Sequence, residues 1–209
     1  NHRFAAQHAL ADPHRAQERA RWGIPEDAVC WLYVGKLEPK KRIFDLLAAL
    51  RQLPTGAAAP IHLLVVGSGA LEATARAYVT EYQLPVSFAG FLNQSEMAQA
   101  YAAADGLVLP SDTGETWGLV VNEAMSCGLP AVVSDAVGCA EDLVKPGLTG
   151  AIFPLADTAQ LAQTLAQLSA DPVRLAQLGA AARDHIAHYT VTQTLEGTLA
   201  ALHWVWSKR

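Results

Sequence analysis

Two glutamates bracket an apolar stretch, Glu115 and Glu123 in "ETWGLVVNE". A carboxylate in such a setting needs partners, because stranding it away from water costs several kcal/mol. A separation of eight leaves two side chains ~80° apart around a helix, so the spacing alone does not put them on one face. Gly114 and Gly118 instead place Glu115 in a turn and Glu123 on the helix that follows. The two carboxylates would then line one crevice from different elements. Sugar hydroxyls suit them, since one carboxylate accepts from two neighbouring hydroxyls at once.

A second cluster could bind phosphate. Lys36, Lys40, Lys41 and Arg42 form the only basic group, and "GSG" from Gly67 to Gly69 follows an apolar run. Glycines at such a turn allow close backbone approach and offer N–H groups to an anion. The pattern is not a full G-x-G-x-x-G, because Glu72 stands in its last place. Taken alone, the glycines are equally a tight turn and the lysines a solvated surface. Together they make a diphosphate clamp the better account. A phosphate centre with a polyhydroxyl group on either side describes a nucleotide sugar.

The elements that must carry these groups alternate. "CWLYVG" from Cys30, "IHLLVVG" from Ile61, "VSFAG" from Val86, "GLVLP" from Gly106 and "AVVS" from Ala131 read as buried parallel strands. Helical patterns follow them over Ile43–Leu53, Leu71–Gln83, Ser95–Ala104 and Gly118–Cys127. This rhythm predicts an α/β fold, a doubly wound parallel sheet with helices on both faces. A C-terminal helical segment follows, with one helix capped by Asp157 or Thr158 and another starting near Asp171 and Pro172. A last helix carries Leu195, Leu199, Leu202 and Trp206 at helical spacing. A short helix from Pro13 to Trp22 is expected at the start, with the rest of that region an approach segment. Residues 1–209 read as a single domain.

Composition excludes other classes. The chain has 209 residues, 51% hydrophobic and 17% charged, with a net charge of -5. That balance argues against a nucleic-acid partner, which calls for clustered Lys and Arg. No apolar run reaches the ~18 residues of a membrane span, and no leader pattern opens the sequence. Cys30, Cys127 and Cys139 are odd in number and scattered, giving neither a disulfide framework nor a zinc pattern. Cys30 and Cys127 read as small buried hydrophobes, and a reducing, cytoplasmic setting fits. The seven histidines show no metal-ligand spacing.

With these motifs in order, the sequence resembles the C-terminal, donor-binding domain of the retaining family 4 (group 1) glycosyltransferases. "YVGKLEPKKR", "LLVVGSG", "VSFAGFL", "YAAADGLVLPS", "ETWGLVVNEAMSCGLPAVVSD" and "GLTGAIF" carry the resemblance. It implies a Rossmann-like domain, one half of a GT-B fold, with a nucleotide-sugar donor and no metal or other cofactor. By position it implies Lys36 and Lys41 on the donor pyrophosphate, with Gly35 and Gly67 beside it. Glu123 would accept from ribose, Glu115 would meet the transferred sugar, and backbone N–H groups at Trp117, Gly118 and Leu119 would meet sugar and phosphate. Backbone atoms near Phe91 would read the base edge. Glu115 is not expected to be a nucleophile.

The sequence departs from the family's usual pattern at four places. Lys36 stands for an Arg, Arg42 for a Gly, Thr116-Trp117 for Gly-Phe, and Cys139 for the second glycine of a pair. The resemblance also implies that acceptor binding belongs to an N-terminal domain of the same polypeptide. This chain would then be an inactive excised domain, with any peripheral membrane association made through that other half. Residues 190–209 would be a helix that crosses back to the N-terminal half, with a homodimer as the alternative cover for its apolar side. Three other readings stay open on the residues: a non-catalytic nucleotide-binding Rossmann module, a structural domain that pairs through the last helix, and a synthase or phosphorylase sharing the fold.

Overall fold

Short apolar runs ended by glycine and proline are too brief for helices and bury both faces as strands. In the computed structural model they are β1 (Val29–Val34), β2 (Ile61–Val66), β3 (Val86–Gly90), β4 (Gly106–Leu109), β5 (Ala131–Ser134) and β6 (Gly150–Phe153). The structure describes residues 2–54 and 59–208, so Asn1 and Arg209, the ends of the expected domain, lie outside it. All six strands are parallel in one sheet, ordered β3-β2-β1-β4-β5-β6. The order runs outward from β1 to one edge, then from β4 to the other. Its direction switches between those two strands.

The pleat sends alternate residues into two cores. Cys30 and Leu32 join Leu64, Leu107 and Val133 on one face. Trp31 and Tyr33 join Leu63, Val108 and Val132 on the other. The first face is covered by α5 (Met97–Ala103) and α6 (Leu119–Ser126), with the short α7 (Ala140–Leu143) at its margin. The second is covered by α3 (Ile43–Arg51), α4 (Glu72–Glu81) and α8 (Thr158–Ser169), while α9 (Pro172–Ile186) reaches both. Leu46, Leu47 and Leu161 are fully buried, and each such side chain contributes roughly 1.5–3 kcal/mol. The cysteines are all buried as free thiols, and burial pushes each of them up to about 12.

Local signals set the helix ends. The Asp157 carboxylate accepts from the Gln160 N–H at 2.8 Å, and Asp171 accepts from the Arg174 N–H at 2.9 Å. Those two caps start α8 and α9 as the sequence predicts. The helix expected from Ser95 begins only at Met97. Asn93 explains the delay, because its side-chain oxygen takes the N–H groups of Ser95 and Glu96.

Two elements differ from expectation. β6 is a sixth strand, four residues long at the sheet edge beside β5, a length at which periodicity carries no signal. The approach segment is helical: α1 (His2–Ala11) precedes a 3-10 turn at Asp12–His14 and α2 (Arg15–Arg21). Tertiary contacts hold it there. Phe4 meets Tyr101 edge-on at 6.0 Å, and Arg15 donates to the carbonyl of Ala104 and the carboxylate of Asp105. The last helix, α10 (Val191–Ser207), forms as predicted but buries no residue. Its apolar side chains, from Leu195 to Trp206, do not fold back on this sheet. Among the described residues no helix is long and apolar enough to cross a membrane.

Candidate donor-binding site

Parallel sheets take ligands at the carboxyl ends of their strands, in the crevice where the strand order switches. Here that crevice opens between the loop after β1 and the loop after β4. The first loop carries Gly35, Lys36 and Lys41, and the second carries Glu115 and leads into α6. The two are stitched together. The Asp112 N–H donates to the Lys40 carbonyl at 2.9 Å, and the Glu115 N–H closes a turn on the Asp112 carbonyl at 2.9 Å. This brings the Lys41 ammonium onto Glu115 Oε2, with the side chains only 14% and 16% exposed. The Ser111 hydroxyl reaches the same oxygen at 3.4 Å. Lys36 is different: its side chain is 73% exposed, with Glu38 at 3.9 Å.

The start of α6 presents free backbone donors. Gly118 caps it at φ 98, a left-handed conformation that suits glycine. The N–H groups of Trp117, Gly118 and Leu119 have no acceptor among the described residues. Unsatisfied N–H groups at a helix start carry the positive end of its dipole. A neighbouring turn holds them in place. The Gly138 N–H donates to the Glu115 carbonyl at 3.1 Å, and the Cys139 N–H donates to the Trp117 carbonyl at 2.9 Å. Cys139 has φ -86 and ψ 2, which any residue adopts, so its replacement of a glycine leaves this turn intact. A Cβ on Gly138, by contrast, would lie 2.0 Å from the Thr116 carbonyl oxygen.

Glu123 sits one turn further along α6, half-buried, and accepts from the Tyr101 hydroxyl at 2.7 Å. Burial pushes its carboxyl above the usual range, against the opposing pull of the Tyr101 hydrogen bond. It lines a cavity of about 580 Å³ with Trp117, Leu119 and Asn122. Gly35, Lys36, Gly67 and Phe91 line a second cavity of about 460 Å³. Phe91 is 77% exposed there, and its own N–H and carbonyl have no backbone partner among the described residues.

The structure therefore groups the predicted residues in three places along the ends of the strands. Glu115 joins Lys41 at the switch point; Glu123 joins Trp117 and Leu119 in one cavity; Gly35, Lys36, Gly67 and Phe91 share another. The two glutamates come from different elements, as expected, but neither cavity is lined by both. Gly67 has a structural reason of its own: a Cβ there would lie 2.0 Å from the Gly35 carbonyl oxygen, and its N–H is already donated to Gly90. Sequence reasoning missed Tyr101, Ser111 and Gly138. Tyr101, a lone hydroxyl in the alanine-rich "AQAYAAA", carried the one legible signal. Among the described residues, no group of three or more His, Cys, Asp or Glu is placed to hold a metal ion.

The family model described as glycosyl transferases group 1 matches residues 14–185. The chain is 36% identical over 157 residues to the GDP-mannose-dependent monoacylated alpha-(1-6)-phosphatidylinositol monomannoside mannosyltransferase of Corynebacterium glutamicum, covering 72% of this chain and 40% of that protein. It is 36% identical over 186 residues to the D-inositol 3-phosphate glycosyltransferase of Streptomyces bingchenggensis, covering 84% of this chain and 40% of that one. The structure of sucrose-phosphate synthase from Thermosynechococcus elongatus superposes with a TM-score of 0.73 at 33% identity, over 91% of this chain and 49% of that chain. The chain thus spans 40% of the length of both these curated relatives.

Proposed function

Because the chain belongs to the group 1 glycosyl transferases, we propose that it is the donor-binding half of an enzyme that moves a hexosyl group from a nucleoside-diphosphate sugar to an acceptor with retention of configuration. The observation that carries this reading is the switch-point crevice, where a lysine meets a carboxylate just before a helix start whose N–H groups have no acceptor among the described residues. Lys41, Lys36 and the start of α6 hold the diphosphate. Glu123 accepts from the ribose hydroxyls, Glu115 from the sugar, and the backbone at Phe91 meets the base.

In the transfer, the bond from the anomeric carbon to the phosphate oxygen breaks. The acceptor oxygen bonds that carbon on the same face, and its proton passes to the departing phosphate. The protein's part is to neutralise charge building on the diphosphate, which the lysines and the helix start supply without a metal ion. Glu115, held by Lys41, is a poor nucleophile and a good hydroxyl acceptor. The acceptor is held outside this chain, so the 209 residues alone bind donor and transfer no sugar.

Calorimetry of the chain with UDP, GDP and ADP, with and without magnesium, tests the reading. One of the three should bind without metal. Lys41→Ala should weaken it by roughly ten- to a hundredfold, as expected for a charge-assisted hydrogen bond. Binding that depends on magnesium, or is indifferent to Lys41, refutes the clamp.

A further inference from the structure

Lys41 already has a partner in the crevice where a diphosphate would bind. Its stem runs alongside Gly35, with Cδ 3.5 Å from the place a Cβ would occupy there, and its ammonium crosses the crevice to Glu115 Oε2. Both side chains are largely buried. The other charges nearby are engaged elsewhere: Glu38 faces Lys36 at 3.9 Å and Lys40 at 3.5 Å. We propose that Glu115 competes with phosphate for Lys41, and so makes the site discriminate between a complete nucleotide sugar and the nucleoside diphosphate left after transfer. This rests on the donor-binding reading above and adds a second role for Glu115.

A diphosphate that draws Lys41 away leaves a poorly hydrated carboxylate beside new negative charge, and like charges at short range oppose each other. Among the described residues only Ser111 donates to the Glu115 carboxylate besides Lys41, and its hydroxyl reaches it at a long 3.4 Å. A complete donor brings its own compensation, because sugar hydroxyls donate to Glu115 as Lys41 turns to the phosphate. The sugar and phosphate parts of the ligand are therefore coupled through one ion pair. Once the sugar has gone, Glu115 reclaims Lys41 and the spent nucleotide is released.

Titration of the full chain with UDP, GDP and ADP, and with UDP-glucose and GDP-mannose, tests this in four forms: wild type, Glu115→Gln, Lys41→Ala and the double variant. Glu115→Gln should tighten the nucleoside diphosphate by about two- to fivefold, an ion pair's worth of competition, while weakening the matching nucleotide sugar. The gain should vanish when Lys41 is alanine. Glu115→Asp, which keeps charge but shortens the reach, should shift the diphosphate in the same direction by less. Thermal unfolding of each variant confirms its fold. If Lys41→Ala weakens the diphosphate but neither Glu115 variant tightens it, the competition is refuted and the donor reading stands. If Lys41→Ala changes no probe's affinity, both are refuted.

Discussion

Removing the Tyr101 hydroxyl tests how the crevice keeps a carboxylate half out of water. Tyr101→Phe leaves the fully buried ring in place, with its edge-on contact to Phe4, and deletes one bond, the 2.7 Å hydrogen bond to Glu123. A hydrogen bond to a charged group contributes roughly 1.5–3 kcal/mol, and the lower end applies here because Glu123 borders a cavity that water can enter. At about 1.5 kcal/mol, the melting temperature should fall by ~3–6 °C for a chain of this size.

The pH profile sharpens the test. Burial raises the Glu123 carboxyl above its ordinary 4.5, and Tyr101 opposes that rise. The folded state therefore holds this proton more tightly than the unfolded one. Stability from this group is greatest below the ordinary value and falls as pH rises through the window up to the raised one. Tyr101→Phe should widen that window upward and steepen the loss. Glu123→Gln should abolish it, leaving the protein as stable or more stable at neutral pH while weakening nucleotide binding. Thermal unfolding by circular dichroism from about pH 4.5 to about pH 8 reads all three forms. A Tyr101→Phe protein that melts with wild type at every pH would show that water, not Tyr101, satisfies Glu123.

Other outcomes follow from single positions. Gly138→Ala places a methyl 2.0 Å from the Thr116 carbonyl oxygen; it should cost about 1–3 kcal/mol as overpacking does, and calorimetry should show donor affinity falling with it as the Trp117–Leu119 turn shifts. Arg42 sits in the left-handed region at φ 51, steadied by Asp45 at 2.6 Å, a conformation that costs an L-residue ~1–2 kcal/mol. Arg42→Gly should melt at or above wild type, and Arg42→Val, which loses the pair and keeps the strain, below it. Truncation after Thr190 removes a helix with no buried residue, so the melting temperature should change little, while size-exclusion chromatography reads whether that helix had paired two copies.

The sequence by itself determined the alternation of buried strands and helices, because an apolar run of five or six residues ended by glycine can satisfy its backbone only by pairing with other strands. It also placed the starts of α8, at Asp157 or Thr158, and of α9, near Asp171 and Pro172, and named Lys41, Glu115 and Glu123, since carboxylates and lysines set among apolar residues and turns need a polar partner. It could not tell which partner. That Lys41 reaches Glu115 depends on β1 and β4 being neighbours, which the order of the strands in space decides and their order in the chain does not. Tyr101 meets Glu123 because α5 and α6 cover the same face. β6 and α1 lie beyond local pattern for the same reason: a four-residue strand and an alanine-rich segment gain their stability from β5 and from Tyr101, contacts that exist only once the chain has folded.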